Sequence, residues 1–352
     1  AKGCCRYGSS SFLLGCTLSY NERYDLLYRI CIGAAGRISV EKEELYLVKK
    51  SQTDAQNGTV IFKAFTNNSG SGDITVEYNN GKRGKNPECK AIRSMSVLSQ
   101  MQSRLPSDIE KYAQTIKTIQ YVQTTLSNMF VLEPIPSLMR GYSRIGDSVL
   151  RRNCSNISAV LASIQENSPD DWQKFCDIIE SLPENEIQGI SFVKTTINDV
   201  ILIQKEQNGK STENIDATRL SDGTLRCIAV LAAVISEPEH SLIAIEELDN
   251  GIHPSRIIKL IKSLCEIAQR RKIDLVLTTH NVTVLNGLSK EDVLGVSVVY
   301  RDKETQASRI VPFVEIENQA GILASGGIGT AMESERLLDE IKNEKEIVPF
   351  DF

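Results

Sequence analysis

Leu220–Arg256, "LSDGTLRCIAVLAAVISEPEHSLIAIEELDNGIHPSR", decides the fold of the second half of the chain. Ser221 and Gly223 stand just ahead of "LRCIAVLAAVI", a run that is apolar nearly all round. Serine is a favoured helix N-cap and glycine lets backbone approach a neighbour closely, so the stretch reads as a loop opening a buried helix. Leu242-Ile243-Ala244-Ile245 then has the length and composition of a buried strand, and it ends in two adjacent carboxylates, Glu246 and Glu247. A second such run, "IDLVLTT", ends at His280.

From Leu220 onward the pattern alternates. Helix 223–236, strand 242–246, helix 255–270, strand 273–278 and helix 282–288 follow one another. Strands near 293–300 and 308–314 come next, and helix 331–343 ("AMESERLLDEIKN") closes the chain. Alternation of this kind implies a parallel α/β sheet. Upstream the character differs. Residues 11–78 hold "FLLGCTLSY", "RYDLLYRICI", "ELYLVKK", "GTVIFKAF" and "DITVEY", separated by turns such as "QNGT" and "NNSGSGD", which predicts an antiparallel meander. From about Ala91 to Leu182 the reading is helical. Ile109, Tyr112, Ile116, Ile119 and Leu126 make one apolar stripe, "LEPIPS" breaks it with two prolines, and "NISAVLASI" and "DDWQKFCDIIESL" read as two more amphipathic helices. Trp172, the sole tryptophan, is read as core. Residues 187–206 return to strand patterning, and "QKEQNGKSTEN" is read as a polar turn.

Composition excludes several classes. The 352 residues are 41% hydrophobic and 24% charged, which is ordinary for a globular protein with ample core. The longest apolar stretch, "CIAVLAAVI", falls far short of the roughly 20 residues needed to cross a bilayer, so no membrane role is expected. A net charge of −5 argues against coating nucleic acid by bulk charge. Two local basic clusters could still meet phosphates: Lys82, Arg83, Lys85, Lys90 and Arg93, then Arg140, Arg144, Arg151 and Arg152. The nine cysteines are scattered, form no CxxC pair and meet only three histidines, so the reading is reduced, mostly buried thiols in a cytoplasmic protein.

The chemistry converges on strand ends. Glu246 and Glu247 close an apolar strand where parallel sheets place their ligands, and adjacent residues of a strand point different ways. One carboxylate can hold Mg²⁺ while the other polarises a water, although a charged exit from a strand is also common. Ser221-Asp222-Gly223-Thr224 opens a helix whose dipole and unpaired N–H groups favour an anion; taken alone, it is an ordinary N-cap. His280 can hydrogen-bond a terminal phosphate or an attacking water, and His253 falls in the same region.

Together these residues resemble the carboxyl-terminal half of an ABC-type ATPase of the SMC-like and RecF-like branch. "LSDGT" resembles the signature loop, LSGGQ in its commonest form; "LIAIEE" resembles the Walker B strand, and "TTHN" the switch histidine. "LDNGIHP" resembles the "PENGLHP" form of defence-system ATPases of the Septu and retron-associated types. The motif-bearing likeness spans about Ala217 to Leu288, and a weaker one extends over the β-rich part and over "EPIPSLMR" and "NCSNISAVL". The resemblance implies Glu246 as the Mg²⁺ carboxylate, Glu247 as catalytic base and His280 as phosphate sensor. It implies that Leu220, Ser221, Asp222, Gly223 and Thr224 meet the ATP held by an opposite protomer, with Asp249, Asn250 and His253 crossing the dimer interface.

Such an ATPase also needs GxxxxGK[ST], whose amides cradle the phosphates. Gly209-Lys210-Ser211-Thr212 imitates its end, but Gln204 stands where the first glycine should be, so a turn is expected there. "NSGSGD" has no lysine and reads as a loop. The expectation is that the phosphate loop lies upstream of residue 1. The implied fold is α/β, an ABC-ATPase head with three parts. Residues 1–88 are the β-rich part of the first lobe, 89–186 a helical insert, and 187–352 an α/β lobe. The implied function is an ATP-binding and hydrolysing subunit that works as an ATP-gated homodimer or higher homo-oligomer. It would control a nuclease or toxin partner in anti-phage defence or DNA maintenance, with DNA or RNA as a further partner. A nucleotide-dependent scaffold without turnover is the alternative. A transporter ATPase subunit fits less well, because "DNGIH" stands where an "SALD"-type loop is expected.

Overall fold

The computed structural model describes residues 9–34, 36–51, 58–66, 71–105, 110–183, 187–209, 211–289, 291–302, 306, 308–334 and 336–342. Cys4, Cys5, Ile109, Lys210, position 343 and parts of the "QNGT" and "NSGSGD" turns lie outside these residues. The chain is α/β and divides into two compact units, Ala1–Asn128 and Met129–Phe352.

The first unit is built on six strands: β1 (Ser11–Ser19), β2 (Tyr24–Gly33), β3 (Ser39–Lys49), β4 (Thr59–Phe65), β5 (Asp73–Tyr78) and β6 (Glu88–Ile92). They pair in sequence order, every neighbour antiparallel, so the expected meander is present and gains a sixth strand from the edge of the stretch read as helical. Leu26, Leu45, Phe62 and Ile74 are fully buried and form one core with Val97 and Met101 of α1 (Val97–Arg104) and Ile119 and Val122 of α2 (Ala113–Ser127). Glu43 of β3 closes the start of α1: its buried carboxylate accepts from the Val97 and Leu98 N–H groups at 2.6 and 2.8 Å, supplying the acceptor that helix ends require. The stripe differs from expectation. Tyr112 precedes α2, and the buried face of α2 is Thr115, Thr118, Ile119 and Val122, with Ile116 and Leu126 packed at its margin. The threonines are tolerated there because Thr115 Oγ1 donates to the Asn79 carbonyl and Thr118 Oγ1 to the Gln114 carbonyl.

The second unit opens with β7 (Met129–Leu132), α3 (Pro136–Met139), β8 (Ser143–Arg144), α4 (Ile157–Asn167) and α5 (Pro169–Ser181). There follow β9 (Ile187–Lys194), β10 (Asp199–Asn208), β11 (Ser211–Asp216), α6 (Asp222–Ser236), β12 (Leu242–Ile245), α7 (Pro254–Arg271), β13 (Asp274–Leu277) and α8 (Val282–Asn286). The parallel sheet runs β13-β12-β7. Its third strand is a correction: Met129–Leu132 lies in the stretch read as helical, where the helical pattern just before it masks four residues of strand. α6 is the central element. Twelve of its fifteen residues are buried, and it shares one core with α4, α5, α7 and the β12 residues Ile243 and Ile245. Trp172 joins that core, stacked on Phe175 at 5.4 Å and tilted on Phe192 at 5.6 Å.

"QKEQNGKSTEN" is mostly strand. β10 and β11 form a hairpin whose last pair is Asn208–Ser211, and Gly209 takes the left-handed φ of +60° that so tight a turn demands. Gly209 therefore sits at a hairpin end, and Ser211 and Thr212 are the first residues of β11. At the carboxyl end, β14 (Ser297–Arg301) and β15 (Ser308–Pro312) pair with each other, antiparallel, and stand apart from the parallel sheet. Helices α9 (Gln319–Ala324), α10 (Ile328–Glu333) and α11 (Arg336–Lys342) follow. The single helix expected over 331–343 is thus two. Ser334, whose hydroxyl donates back to the Thr330 and Ala331 carbonyls, caps the first of them.

Among the described residues no helix is long and apolar enough to cross a membrane. Cys16, Cys31, Cys89, Cys154, Cys176, Cys227 and Cys265 are free thiols, but only Cys154 and Cys227 are fully buried, fewer than expected. Arg93 of the first basic cluster is buried, its guanidinium donating to the Val40 and Ser71 carbonyls. Arg151 and Arg152 pair with Asp147 and Glu133.

Candidate functional site

The loop before α6 is rigid by construction. Leu220 is buried, and Ser221 is the N-cap, in extended conformation, its Oγ accepting from the Thr224 N–H at 3.1 Å and donating to Thr224 Oγ1 at 2.9 Å. Gly223 is buried against the loop that follows β12. A Cβ built on it would come well inside 3.0 Å of the Gly251 carbonyl oxygen and would lie 3.3 Å from the Gly251 carbonyl carbon. Only glycine permits that approach. Asp222 begins the helix with an exposed carboxylate, and Arg140 reaches it from the end of α3. One guanidinium nitrogen lies 2.6 Å from Asp222 Oδ1 and donates to the Leu220 carbonyl at 2.8 Å.

The ends of β12 and β13 lie side by side because the two strands pair in register, Ile245 opposite Leu277. Glu246 is exposed at the exit from β12. Glu247 follows in the left-handed region at φ +46°, a conformation that a non-glycine residue adopts at a cost of about 1–3 kcal/mol unless its surroundings enforce it. The enforcing contacts come from Thr278, just past β13, and from the next turn. The Glu247 N–H donates to Thr278 Oγ1 at 3.0 Å, the Leu248 N–H to the Thr278 carbonyl at 3.2 Å, and the Asn250 N–H to the Glu247 carbonyl at 2.9 Å. Leu248, buried, pins the turn into the core. The Glu247 carboxylate accepts from Asn250 Nδ2 at 3.3 Å and lies 4.0 Å from His280 Nε2. Both side chains are open to solvent, with 55% and 76% of their surface exposed, so a small molecule can reach them.

Asp249 is fixed by Thr279, whose hydroxyl donates to Oδ1 at 2.6 Å. His253 caps α7, its Nδ1 accepting from the Ser255 N–H. Asn281 caps α8. Glu247, Asn250 and His280 therefore converge, Asp249 is tied to the same pair of strand ends, and Gly223 joins the helix start to that loop through Gly251. Three residues have no role that the sequence alone announces. Thr278 and Thr279 are visible there only as part of a strand end, and Arg140 only as one arginine in a basic cluster.

Among the described residues no group of three or more histidine, cysteine, aspartate or glutamate side chains is arranged to hold a metal. The donors on offer, two exposed carboxylates at one strand end, are hard oxygen ligands that suit a Mg²⁺ whose remaining positions go to phosphate and water.

Residues 124–286 match the family model described as "AAA domain, putative AbiEii toxin, Type IV TA system". That span holds the Ser221 loop, all three strands of the parallel sheet and His280. No curated protein matches the chain. Solved structures similar to it include three SMC heads. One, a head with a coiled coil and joint from Pyrococcus yayanosii, is 11% identical at a TM-score of 0.32, over 47% of this chain and 30% of that one. The head from Thermotoga maritima is 11% identical, TM-score 0.32, over 78% and 74%. The third, from Pyrococcus furiosus with an extended coiled coil and bound to the C-terminal domain of ScpA, is 10% identical, TM-score 0.35, over 91% and 75%. The family match supports an ATPase-type, nucleotide-binding domain over its span.

Proposed function

We propose that the chain is an ABC-type ATPase subunit that binds and hydrolyses ATP as an ATP-gated dimer. The observation that carries this reading is Glu247. A carboxylate held in the left-handed region, buttressed by Thr278 and Asn250, exposed and 4.0 Å from an exposed histidine, is a poor choice for stability and a good one for a base. In this reading Glu247 takes the proton of the attacking water, and His280 donates a hydrogen bond to the terminal phosphate. Glu246 holds Mg²⁺ directly or through water; the metal, when bound, neutralises charge on the phosphate oxygens. Ser221, Gly223 and Thr224 present the start of α6 to the terminal phosphate of a nucleotide carried by the opposite protomer, with Leu220 and Asp222 framing it. For Ser221 to donate to that phosphate its hydroxyl proton turns away from Thr224. Asp249, Asn250 and His253 lie at the dimer interface. ATP binding also requires a GxxxxGK[ST] phosphate cradle, a motif that residues 1–352 do not contain.

The subunit acts in the cytoplasm and gates a separate nuclease or toxin, with DNA or RNA as a further partner. The description of the matching family as a putative toxin of a Type IV system supports only a toxin–antitoxin context for this reading. The test is turnover and sedimentation of the full-length protein with Mg·ATP, beside Glu247→Gln. Wild type should hydrolyse ATP and sediment as a dimer when ATP is bound, and Glu247→Gln should keep the dimer and lose turnover. Wild type that assembles with ATP without hydrolysing it would make the chain a nucleotide-dependent scaffold.

A further inference from the structure

The loop that opens α6 carries a charge problem. Resting on the nucleotide reading above, the start of this helix receives a terminal phosphate, yet its first residue, Asp222, has a carboxylate with 65% of its surface open to solvent. A fixed negative charge beside a phosphate opposes binding. In "LSDGT" it stands where the LSGGQ form has a glycine. The Arg140 guanidinium is the nearest remedy. It is held 2.6 Å from the Asp222 carboxylate and 2.8 Å from the Leu220 carbonyl, and only 27% of its side chain is exposed.

We infer that Arg140 is a positioning residue for nucleotide binding, which cancels the charge of Asp222 and thereby lets the helix start accept a phosphate. Three features fit this role better than a purely structural one. First, the Asp222 partner is mostly open to water, which screens the pair and leaves it little weight in stability. Second, Arg140 bonds both residues that flank Ser221, so it fixes the loop on either side of the capping serine and leaves the serine itself uncovered. Third, Arg140 follows directly on α3, whose Met139 is fully buried in the same core as Leu220, so the guanidinium is delivered from an anchored position. An anchored cation with two fixed acceptors loses little side-chain freedom when the ligand arrives. The geometry is that of a charge relay without proton transfer: phosphate at the helix start, carboxylate beside it, guanidinium behind the carboxylate.

A ladder set by the net charge of the pair follows. Wild type carries zero, Arg140→Ala minus one, Asp222→Asn plus one, and the double variant zero. A unit charge within several ångströms of a phosphate at a protein surface changes affinity by about tenfold. The ATP concentration for half-maximal turnover should therefore rise about tenfold in Arg140→Ala and fall in Asp222→Asn. In the double variant it should return to within about threefold of wild type. The turnover number at saturating ATP should move much less than the half-saturation point, because Arg140 does not touch the water or Glu247. The Arg140→Ala effect should also shrink as salt is raised. Arg140→Gln keeps a donor for the Leu220 carbonyl and drops the charge, and it should behave like Arg140→Ala; this variant carries the test if the alanine protein unfolds. A double variant as weak as Arg140→Ala, or an Arg140→Gln protein that matches wild type, would overturn the inference and leave Arg140 a loop anchor. If wild type neither binds nor turns over ATP, the nucleotide reading falls first and this inference with it. A wild type that turns over, with variants that ignore the ladder, removes this inference alone.

Discussion

Replacing Gly223 with alanine tests how tightly the two loops meet. The new Cβ would sit well inside 3.0 Å of the Gly251 carbonyl oxygen, with the Gly251 carbonyl carbon at 3.3 Å and Ile252 Cα at 3.6 Å. All three are backbone atoms, so no side-chain rotation relieves the clash, and the loops must part by several tenths of an ångström. Overpacking of this kind costs about 1–3 kcal/mol. Alanine returns roughly 0.5–1 kcal/mol through helix propensity and a less free unfolded chain, leaving a net loss of about 0–2.5 kcal/mol, toward the upper end here because all three atoms it meets are backbone. Trp172 is the only tryptophan and lies in the core of the unit that contains Gly223, so its fluorescence in a urea titration reads the right transition. Gly295→Ala is the control, since a Cβ there meets nothing within 4 Å. The same displacement moves the Ser221 loop relative to Glu247, and misplacement on this scale costs about 10- to 100-fold in kcat/KM. Gly223→Ala with the stability of Gly295→Ala would show that the loops are not in contact in solution, and the rigid geometry of the site would go with it.

Glu247→Gly should raise the stability of the second unit by about 0.5–1 kcal/mol, because glycine is at ease at φ +46°, while abolishing ATP turnover. A glycine variant less stable than wild type would mean that the turn is not strained. Thr278→Val removes the acceptor of the Glu247 N–H; it should cost about 1–2 kcal/mol and lower turnover at saturating ATP more than it weakens ATP binding, as read by steady-state kinetics. Burial pushes the Cys154 thiol up to about 12 and the Cys227 thiol up to about 11, from an ordinary value of 9.0. Since the folded values are raised, the unfolded chain loses these protons first, and the stability they confer is full below pH 9 and lost as pH climbs toward 11 and 12. Urea titrations across that window should show a stability slope that flattens in Cys227→Ala by up to about 1.4 kcal/mol per pH unit, and an unchanged slope would place the thiol in contact with water.

What can be seen in the sequence follows from how local each signal is. α6 is legible because its burial is written into consecutive residues, Cys227 to Ile235, and its cap into Ser221. β12 and β13 are legible because apolar runs end abruptly in charged or polar residues. The meander in the first unit is legible through short strands and turns. Met129–Leu132 escapes notice because four residues give no period of their own and follow directly on a helix. The buried face of α2 is misread because Thr115 and Thr118 count as polar in a pattern, although each hydroxyl finds a carbonyl. At the site, Glu247, Asn250 and His280 can be named from motif and strand end. Their supports cannot, since Thr278 bonds across 31 positions and Arg140 reaches Asp222 across 82.

Those supports are what distinguish this arrangement from a charged exit off a strand. Glu247 stays in the left-handed region because Thr278 and Asn250 hold it. Four residues further on, the Gly251 carbonyl packs against Gly223, and one residue before Gly223 is the carboxylate that Arg140 pairs with. A short backbone path, closed by the Gly251–Gly223 approach, therefore joins Glu247 to the helix start within one chain. In the proposed head-to-tail pair those two groups serve different nucleotides. The base would act on the nucleotide held by its own protomer, and the helix start would contact the one held by its neighbour. In that pair, loss of the second nucleotide's phosphate would free the helix start, and because Gly223 packs directly on the Gly251 backbone, a shift of the helix start toward that loop would press on the loop behind Glu247. Hydrolysis at the two sites should therefore be coupled. Gly223→Ala should weaken that coupling as well as slow the reaction, so the Hill coefficient for ATP should fall toward one in the variant even where its saturating rate survives. A cooperative wild type and an equally cooperative Gly223→Ala would place the coupling elsewhere.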